Sequence, residues 1–245
     1  MERAEYEAMA RLEDEHWWFA GKRAVARSLL APFWAGGGRI LDAGCGTGGT
    51  TVSLAGDGKS VFGCELNAFA ARAAAERPAL RGNVVRGRAE DLPIRSESLD
   101  LVTAFDVLYH KDVDERAALA EWRRVLAPGG LLYLSDSALP CLKGPHDEAV
   151  HARERYTAPV LASRVRDAGF RVLRLTYWNF FLLPFVLAVR LGRRATAGRS
   201  ETSDLKRVPA TLNRVLSRVL FLEAALLRRG RIPIGSSVAL IARRT

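Results

Sequence analysis

Short apolar runs alternate with amphipathic stretches through the middle of the chain. The runs near 39–43, 60–65, 83–86, 99–105 and 131–135 predict strands, and the stretches near 49–55, 68–77 and 114–125 predict helices. Strand and helix in regular alternation predict a parallel sheet with helices on both faces, the Rossmann-like doubly wound α/β class. Phe170–Tyr177 and Ser236–Arg243 read as two final strands. Residues 2–15 and 21–31 predict two helices ahead of the first strand. Between them stands His16-Trp17-Trp18-Phe19, four rings in a row that fit no single amphipathic stripe. They can serve as an aromatic plug against the sheet or as a lid over a ligand.

Two segments interrupt the alternation. Ser135 to Pro159 has loop character. Asn179 to Pro233 holds an apolar stretch (Phe180 to Val189), a basic linker (Gly192 to Pro209) and an amphipathic helix (Thr211 to Arg229). In that helix Leu212, Val215, Leu216, Val219, Leu220, Leu226 and Leu227 recur at helical spacing, and Arg214, Arg218, Arg228 and Arg229 take other faces. The organisation expected is one domain over 1–245: a helical lid (1–37), a core (38–178), a helical basic insertion (179–233) and a final strand (234–245).

The candidate chemistry starts at Arg39-Ile40-Leu41-Asp42-Ala43-Gly44-Cys45-Gly46-Thr47-Gly48-Gly49. An apolar run ends in an acid and a glycine-dense turn, the strand–loop–helix order that holds nucleotide-like cofactors. A second run ends in Glu65, ~20 residues on, where an acid can accept both ribose hydroxyls. The glycines follow Asp42-x-Gly44-x-Gly46-x-Gly48, not G-x-G-x-x-G. A carboxylate just before them would repel a pyrophosphate, but it suits the cationic methionine end of S-adenosylmethionine.

At these residues the chain resembles the class I S-adenosylmethionine-dependent methyltransferases. Arg86–Pro93, Ser98–His110 and Leu126–Leu132 are similar to that family's third to fifth strand segments, in order. The resemblance implies a seven-stranded, mostly parallel sheet whose antiparallel last strand lies beside the fifth. It implies S-adenosylmethionine as cofactor and S-adenosylhomocysteine as product. It assigns Gly44, Cys45 and Gly46 to the methionine and ribose, Asp42 to a place under the methionine end and Glu65 to the ribose diol. Leu66 is assigned to the adenine face, Ala89 and Glu90 to the adenine edge, and Phe105 and Asp106 to the methyl region, with ordinary core packing as the alternative for Leu66 and Phe105. The family often has an acid where Arg88 stands, and Glu90 is the substitute. The aromatic segment resembles an "HWWF" signature of a bacterial subset, which places Trp18 and Arg23 on the cofactor side.

Methyl transfer needs a nucleophile about 3–3.5 Å from the methyl carbon, and a base where the acceptor is a hydroxyl or amine. His110, after the fourth strand, is the first candidate base; its alternative is a cap or loop contact. His146, Asp147, His151, Arg153, Arg155 and Tyr156 form the second cluster and resemble an "HD…H.RRY" motif, with Glu154 replacing one arginine. The roles are His151 or His146 as base, Asp147 as its orienting partner and Arg155 as anchor for an anionic oxygen. A purely structural cluster, or a metal site from His146, Asp147 and His151, are the alternatives; no metal is expected.

Composition adds the partners. At 245 residues and 49% apolar content the chain can bury a sizeable core. No run reaches membrane-spanning length and the N-terminal residues lack a signal-peptide pattern, so a cytoplasmic location is expected. Cys45, Cys64 and Cys141 lack C-x-x-C spacing and read as buried free thiols. The net charge of +10 arises in the last quarter, where residues 190–245 hold 13 basic and 3 acidic residues. Such a segment suits anionic lipid, an acidic substrate or nucleic acid, or is a solvated face. Nucleic acid is not expected, because Phe105-Asp106-Val107-Leu108 stands where base-amine methyltransferases carry an N-P-P-[YF] motif. The insertion is expected to pack on the sheet, with peripheral membrane contact as the alternative. The expected function is methylation of a small, partly apolar molecule, natural-product or lipid-like, on a hydroxyl, enol or carboxyl oxygen. The alternative is an RNA or protein methyltransferase using the basic region.

Overall fold

The computed structural model describes residues 1–245 except Ala35, Asp57 and 196–204, and the side chains of 145–146 and 191–195 lie outside the description. In chain order the elements are α1 (Arg3–Leu12), α2 (Trp17–Leu30), β1 (Gly38–Ala43), α3 (Gly49–Val52), β2 (Lys59–Glu65), α4 (Ala68–Glu76), β3 (Val84–Arg86), β4 (Leu99–Phe105), α5 (Glu115–Val125) and β5 (Leu126–Ser137). There follow α6 (Pro145–Ala149), α7 (Ala158–Asp167), β6 (Phe170–Trp178), α8 (Leu183–Ala195), α9 (Ala210–Leu227) and β7 (Ser237–Arg244).

The seven strands form one sheet in the order β3-β2-β1-β4-β5-β7-β6. Six run in one direction, and β7 lies antiparallel between β5 and β6, pairing Tyr133 with Ile241 and Leu175 with Leu240. The central strands are apolar on both faces because helices cover both: α2, α4 and α9 on one side, α5 and α7 on the other. Strand order reverses between β1 and β4, and the crevice at such a reversal, beyond the strands' C-terminal ends, is where ligands sit in open α/β sheets.

Three elements differ from the sequence reading. The aromatic segment is not a linker: His16 is the N-cap of α2, its Nδ1 accepting from the Trp18 N–H, and Trp17, Trp18 and Phe19 make the first turn. Successive helical positions diverge by about 100°, so the rings part company. Trp18 stacks on Trp178 with centroids 4.9 Å apart, while Phe19 is buried. The segment expected as a loop contains α6 and the start of α7, and bridges at Ala138–Tyr156 and His110–Ala152 tie it to the sheet and to the loop after β4. Cys141 is exposed, unlike Cys45 and Cys64.

The insertion packs only in part. α9 lies along α2 and buries Leu220, Ala224 and Leu227, but Leu212, Val215, Leu222 and Leu226 of the same helix face outward. Glu223 is buried between them and accepts from the Phe180 and Phe181 N–H groups at 2.9 and 3.2 Å, and from the Asn179 N–H. The part of the basic linker at 196–204 lies outside the described residues.

Candidate active site

A cavity of about 1070 Å³ opens over the C-terminal ends of β1, β2 and β4. Its floor begins at the turn after β1. Gly44 has φ 76°, and a Cβ there would stand 2.5 Å from Val107 Cγ2, so only glycine fits. The Gly44 and Cys45 N–H groups donate to the Cys64 carbonyl, and the Gly46 N–H donates to Glu65 Oε2 at 2.9 Å. Glu65 Oε1 accepts from the Asn67 N–H at 2.8 Å and lies 3.5 Å from the Tyr6 hydroxyl. Burial raises the pKa of Glu65, and these N–H donors pull it back.

Leu66, Ala89 and Glu90 continue the wall, then Phe105 and Asp106 at the end of β4. Asp106 has φ 57° and pairs with Lys22 Nζ from α2. Lys22 itself is buried against the Trp18 and Phe19 rings. Helix α1 roofs the floor with Tyr6 and Met9, and the Met9 Sδ would lie 3.0 Å from a Cβ on Gly46. The roof is latched by Glu13. Its carboxylate accepts from the Thr47 hydroxyl and the Gly49 N–H, and pairs with Arg77 at 2.6 Å.

The far wall carries His110, His151 and Arg155, and α8 closes it with Phe185, Val186 and Val189. His110 Nε2 lies 3.0 Å from the Met1 amine and His151 Nε2 lies 2.7 Å from Glu2 Oε1. Burial, with the Met1 amine next, pushes the His110 imidazole down to about 4. His110, Asp112 and His151 place one ligand atom each within 4.8 Å of one another.

Several expected site residues stand elsewhere. Asp42 lies behind the floor, fully buried, bonded to the Thr51 and Thr103 hydroxyls, and burial raises it to about 6. The Cys45 side chain is buried behind the same turn. Arg23 points away from the cavity and donates to the Glu13 and Asp14 carbonyls. Asp147 is held between Arg155, at 2.7 Å, and Arg190, at 3.1 Å. Burial pushes its carboxyl up, but the two arginines outweigh that and hold it below its ordinary range. It is therefore committed to arginines, not to orienting a histidine or binding metal. Arg155 reaches the cavity wall, yet its guanidinium serves Asp147 and the Ala138 carbonyl. Tyr156 is buried and donates to Glu115. The side chain of His146 lies outside the described residues.

The comparisons with known proteins bear on this geometry. Residues 41–134, from β1 into β5, match a family model described as a methyltransferase domain. An uncharacterized methyltransferase of Geobacillus kaustophilus is 30% identical over 146 residues, 54% of this chain and 68% of the relative. The chain belongs to the S-adenosylmethionine-dependent methyltransferases. An O-methyltransferase of Aspergillus sclerotiorum is 34% identical over 156 residues, and the match spans 57% of this chain and 57% of the relative. Among solved structures, an S-adenosylmethionine-dependent methyltransferase of Thermotoga maritima superposes with TM-score 0.60 at 22% identity, covering 98% of this chain and 99% of that one.

Tyr6, Met9 and Glu13 line or latch the cavity and were not singled out by the sequence reading, and Lys22, which follows the aromatic segment beside Arg23, lines it where Arg23 does not. Lys22 was legible in principle: with the helix starting at Trp17, Trp18 and Lys22 are four apart and share a face. Starting the helix at 21 hid that spacing and favoured Arg23.

Proposed function

We propose that this chain transfers a methyl group from S-adenosylmethionine to an oxygen of a small, partly apolar molecule. The observation that carries the reading is the single cavity running from the glycine turn and Glu65 to two histidines and an apolar helical wall. The donor set fits the cofactor. An ionised Glu65 offers only acceptors, which a ribose diol satisfies. Leu66 and Ala89 offer an apolar shelf for adenine, with Glu90 at its edge, and the floor around Gly44 and Gly46 leaves no room for a Cβ. The cofactor supplies an activated methyl group when bound.

The residues around it position and exclude. Phe105 shields the methyl region from water, and the Lys22–Asp106 pair fixes the turn after β4. Trp18 holds the arm down through Trp178. His110 and His151 face the acceptor space. Either can take the acceptor's proton once the arm withdraws Met1 and Glu2 from their Nε2 atoms. The acceptor is natural-product-like or lipid-like and the oxygen a hydroxyl, enol or carboxyl. The similarity of His16-Trp17-Trp18-Phe19 to the "HWWF" signature supports placing the chain in that bacterial subset, and a cytoplasmic location with peripheral membrane contact belongs to the same reading.

The test has two stages. Calorimetric titration with S-adenosylmethionine should show saturable one-to-one binding. Incubation with methyl-deuterated cofactor and a fractionated host extract should then label a small-molecule fraction. Label confined to RNA or protein would overturn the acceptor assignment and leave cofactor binding standing.

A further inference from the structure

We infer that the outer face of α8 and α9 docks on an anionic lipid bilayer, with the mouth of the cavity turned toward the lipid. The face is apolar where a water-facing helix would be polar. Leu222 is 58% exposed, Val215 51% and Leu226 50%, and on α8 Leu187 is 37% exposed. Leu212, Val215, Val219, Leu222 and Leu226 recur at intervals of three and four, which draws one stripe along α9. The opposite side of α9 is the one buried on α2, so the stripe is not the packing face. Glu223 anchors the backbone of Phe180 and Phe181 to the middle of α9, which joins those two exposed rings to the stripe.

The charge around the stripe selects the occupant. Residues 205–245 carry nine basic residues and one acid. That acid is Glu223, which is buried and spent on backbone N–H groups. Arg214 and Arg218 flank Val215 and Leu222 at helical spacing, and Arg228, Arg229 and Arg231 follow at the end of the helix. An apolar stripe bordered by arginines, on two helices whose described residues include no exposed acid, matches the interface of an anionic membrane, where apolar side chains enter the acyl boundary and guanidinium groups meet phosphates. A second copy of this chain would set arginines against arginines across a two-fold axis, which disfavours self-association. Among the described residues no helix is long and apolar enough to cross a membrane, so the contact lies in the interface plane.

The same two helices wall the cavity. Phe185, Val186 and Val189 of α8 and Leu216 of α9 line it from inside. Docking therefore places the acceptor wall against the bilayer, and a lipid-like acceptor can enter without crossing water. This last step rests on the reading of the cavity as an acceptor site; the docking itself does not.

Flotation with phosphatidylcholine vesicles, with and without phosphatidylglycerol, tests the docking. The protein is expected to float with the anionic vesicles, and less so as salt rises. The double variant Leu222→Asp/Leu226→Asp, and separately Arg214→Glu/Arg218→Glu, should each lower partitioning by at least about ten-fold. Both should keep the wild-type circular dichroism and cofactor affinity, because none of the four residues lines the cavity. Failure to float, or flotation equal in wild type and both variants, overturns the docking. So does a concentration-dependent dimer, seen by sedimentation and abolished by the leucine variants, in a protein that ignores vesicles. Cofactor titration on the same samples reports on the methyltransferase reading independently.

Discussion

Asp42 shapes the site without touching the cavity. Its carboxyl sits in a fully buried pocket with two threonine hydroxyls, and burial raises its pKa to about 6. In the unfolded chain an aspartate ionises near 3.9. Between those values the unfolded state has given up a proton that the folded state keeps, so stability falls as pH rises through the window. Asp42→Asn removes that slope. The variant is expected to gain roughly 2–3 kcal/mol on the wild type in urea unfolding between pH 4 and pH 7. Glu65 makes the opposite case, a buried carboxylate on the wall. Glu65→Gln keeps the shape and loses the charge, and charged hydrogen bonds contribute about 1.5–3 kcal/mol. The affinity for S-adenosylmethionine should fall roughly 10–100-fold by calorimetry, with an unchanged circular dichroism spectrum. Both acids were legible in the sequence as ends of apolar runs. That one faces the cavity and the other its own threonines depends on where the turn glycines send the chain, which spacing does not reveal. Asp147 shows the same gap: its partner Arg190 lies 43 residues away in sequence.

At the level of elements, two contacts decide how the outer layers hold. Gly21 of α2 sits where α9 crosses: a Cβ there would lie 2.1 Å from Leu220 Cδ1 and 2.8 Å from Leu220 Cβ. Alanine is the better helix former by about 1 kcal/mol, but overpacking costs about 1–3 kcal/mol. Crowding wins here because the Leu220 Cβ, not merely its flexible tip, is too close. Gly21→Ala is expected to destabilise the fold by roughly 1–2 kcal/mol in denaturant unfolding. Glu13 latches the arm to the glycine turn, and Glu13→Ala would strand the Thr47 hydroxyl and the Gly49 N–H and leave Arg77 with only Asp14 and the Thr47 carbonyl. Roughly 2–4 kcal/mol of stability should go, with cofactor dissociation accelerated in stopped-flow measurements. Strands β1 to β4 were readable because each is a compact apolar run stopped by glycine or an acid. Helix α7 was not, although Ala158, Leu161, Ala162 and Val165 are buried at helical spacing. Its Pro159 reads equally as the end of a loop or the first turn of a helix, and only packing distinguishes the two.

For the molecule as a whole, charge and apolar surface are separated along the chain and brought together in space. The sheet region is balanced in charge, whereas the basic excess of residues 190–245 accompanies the unpacked half of α9. The amphipathic period of α9 was plain in the sequence. Which of its apolar residues would be covered was not, because α2 is too narrow to cover a helix that is apolar around more than half its circumference.

The order of strands sets a timetable as well as a shape. β6 is made before β7, yet it bonds only to β7, which in turn bridges it to β5. During vectorial synthesis the completed β5 and β6 edges therefore wait, unpaired, until some sixty further residues have emerged. Those residues include the whole α8–α9 layer. The last step of sheet assembly is the insertion of a single strand into a gap, a long-range closure that makes folding slow and leaves the nascent chain dependent on protection while the gap stands open.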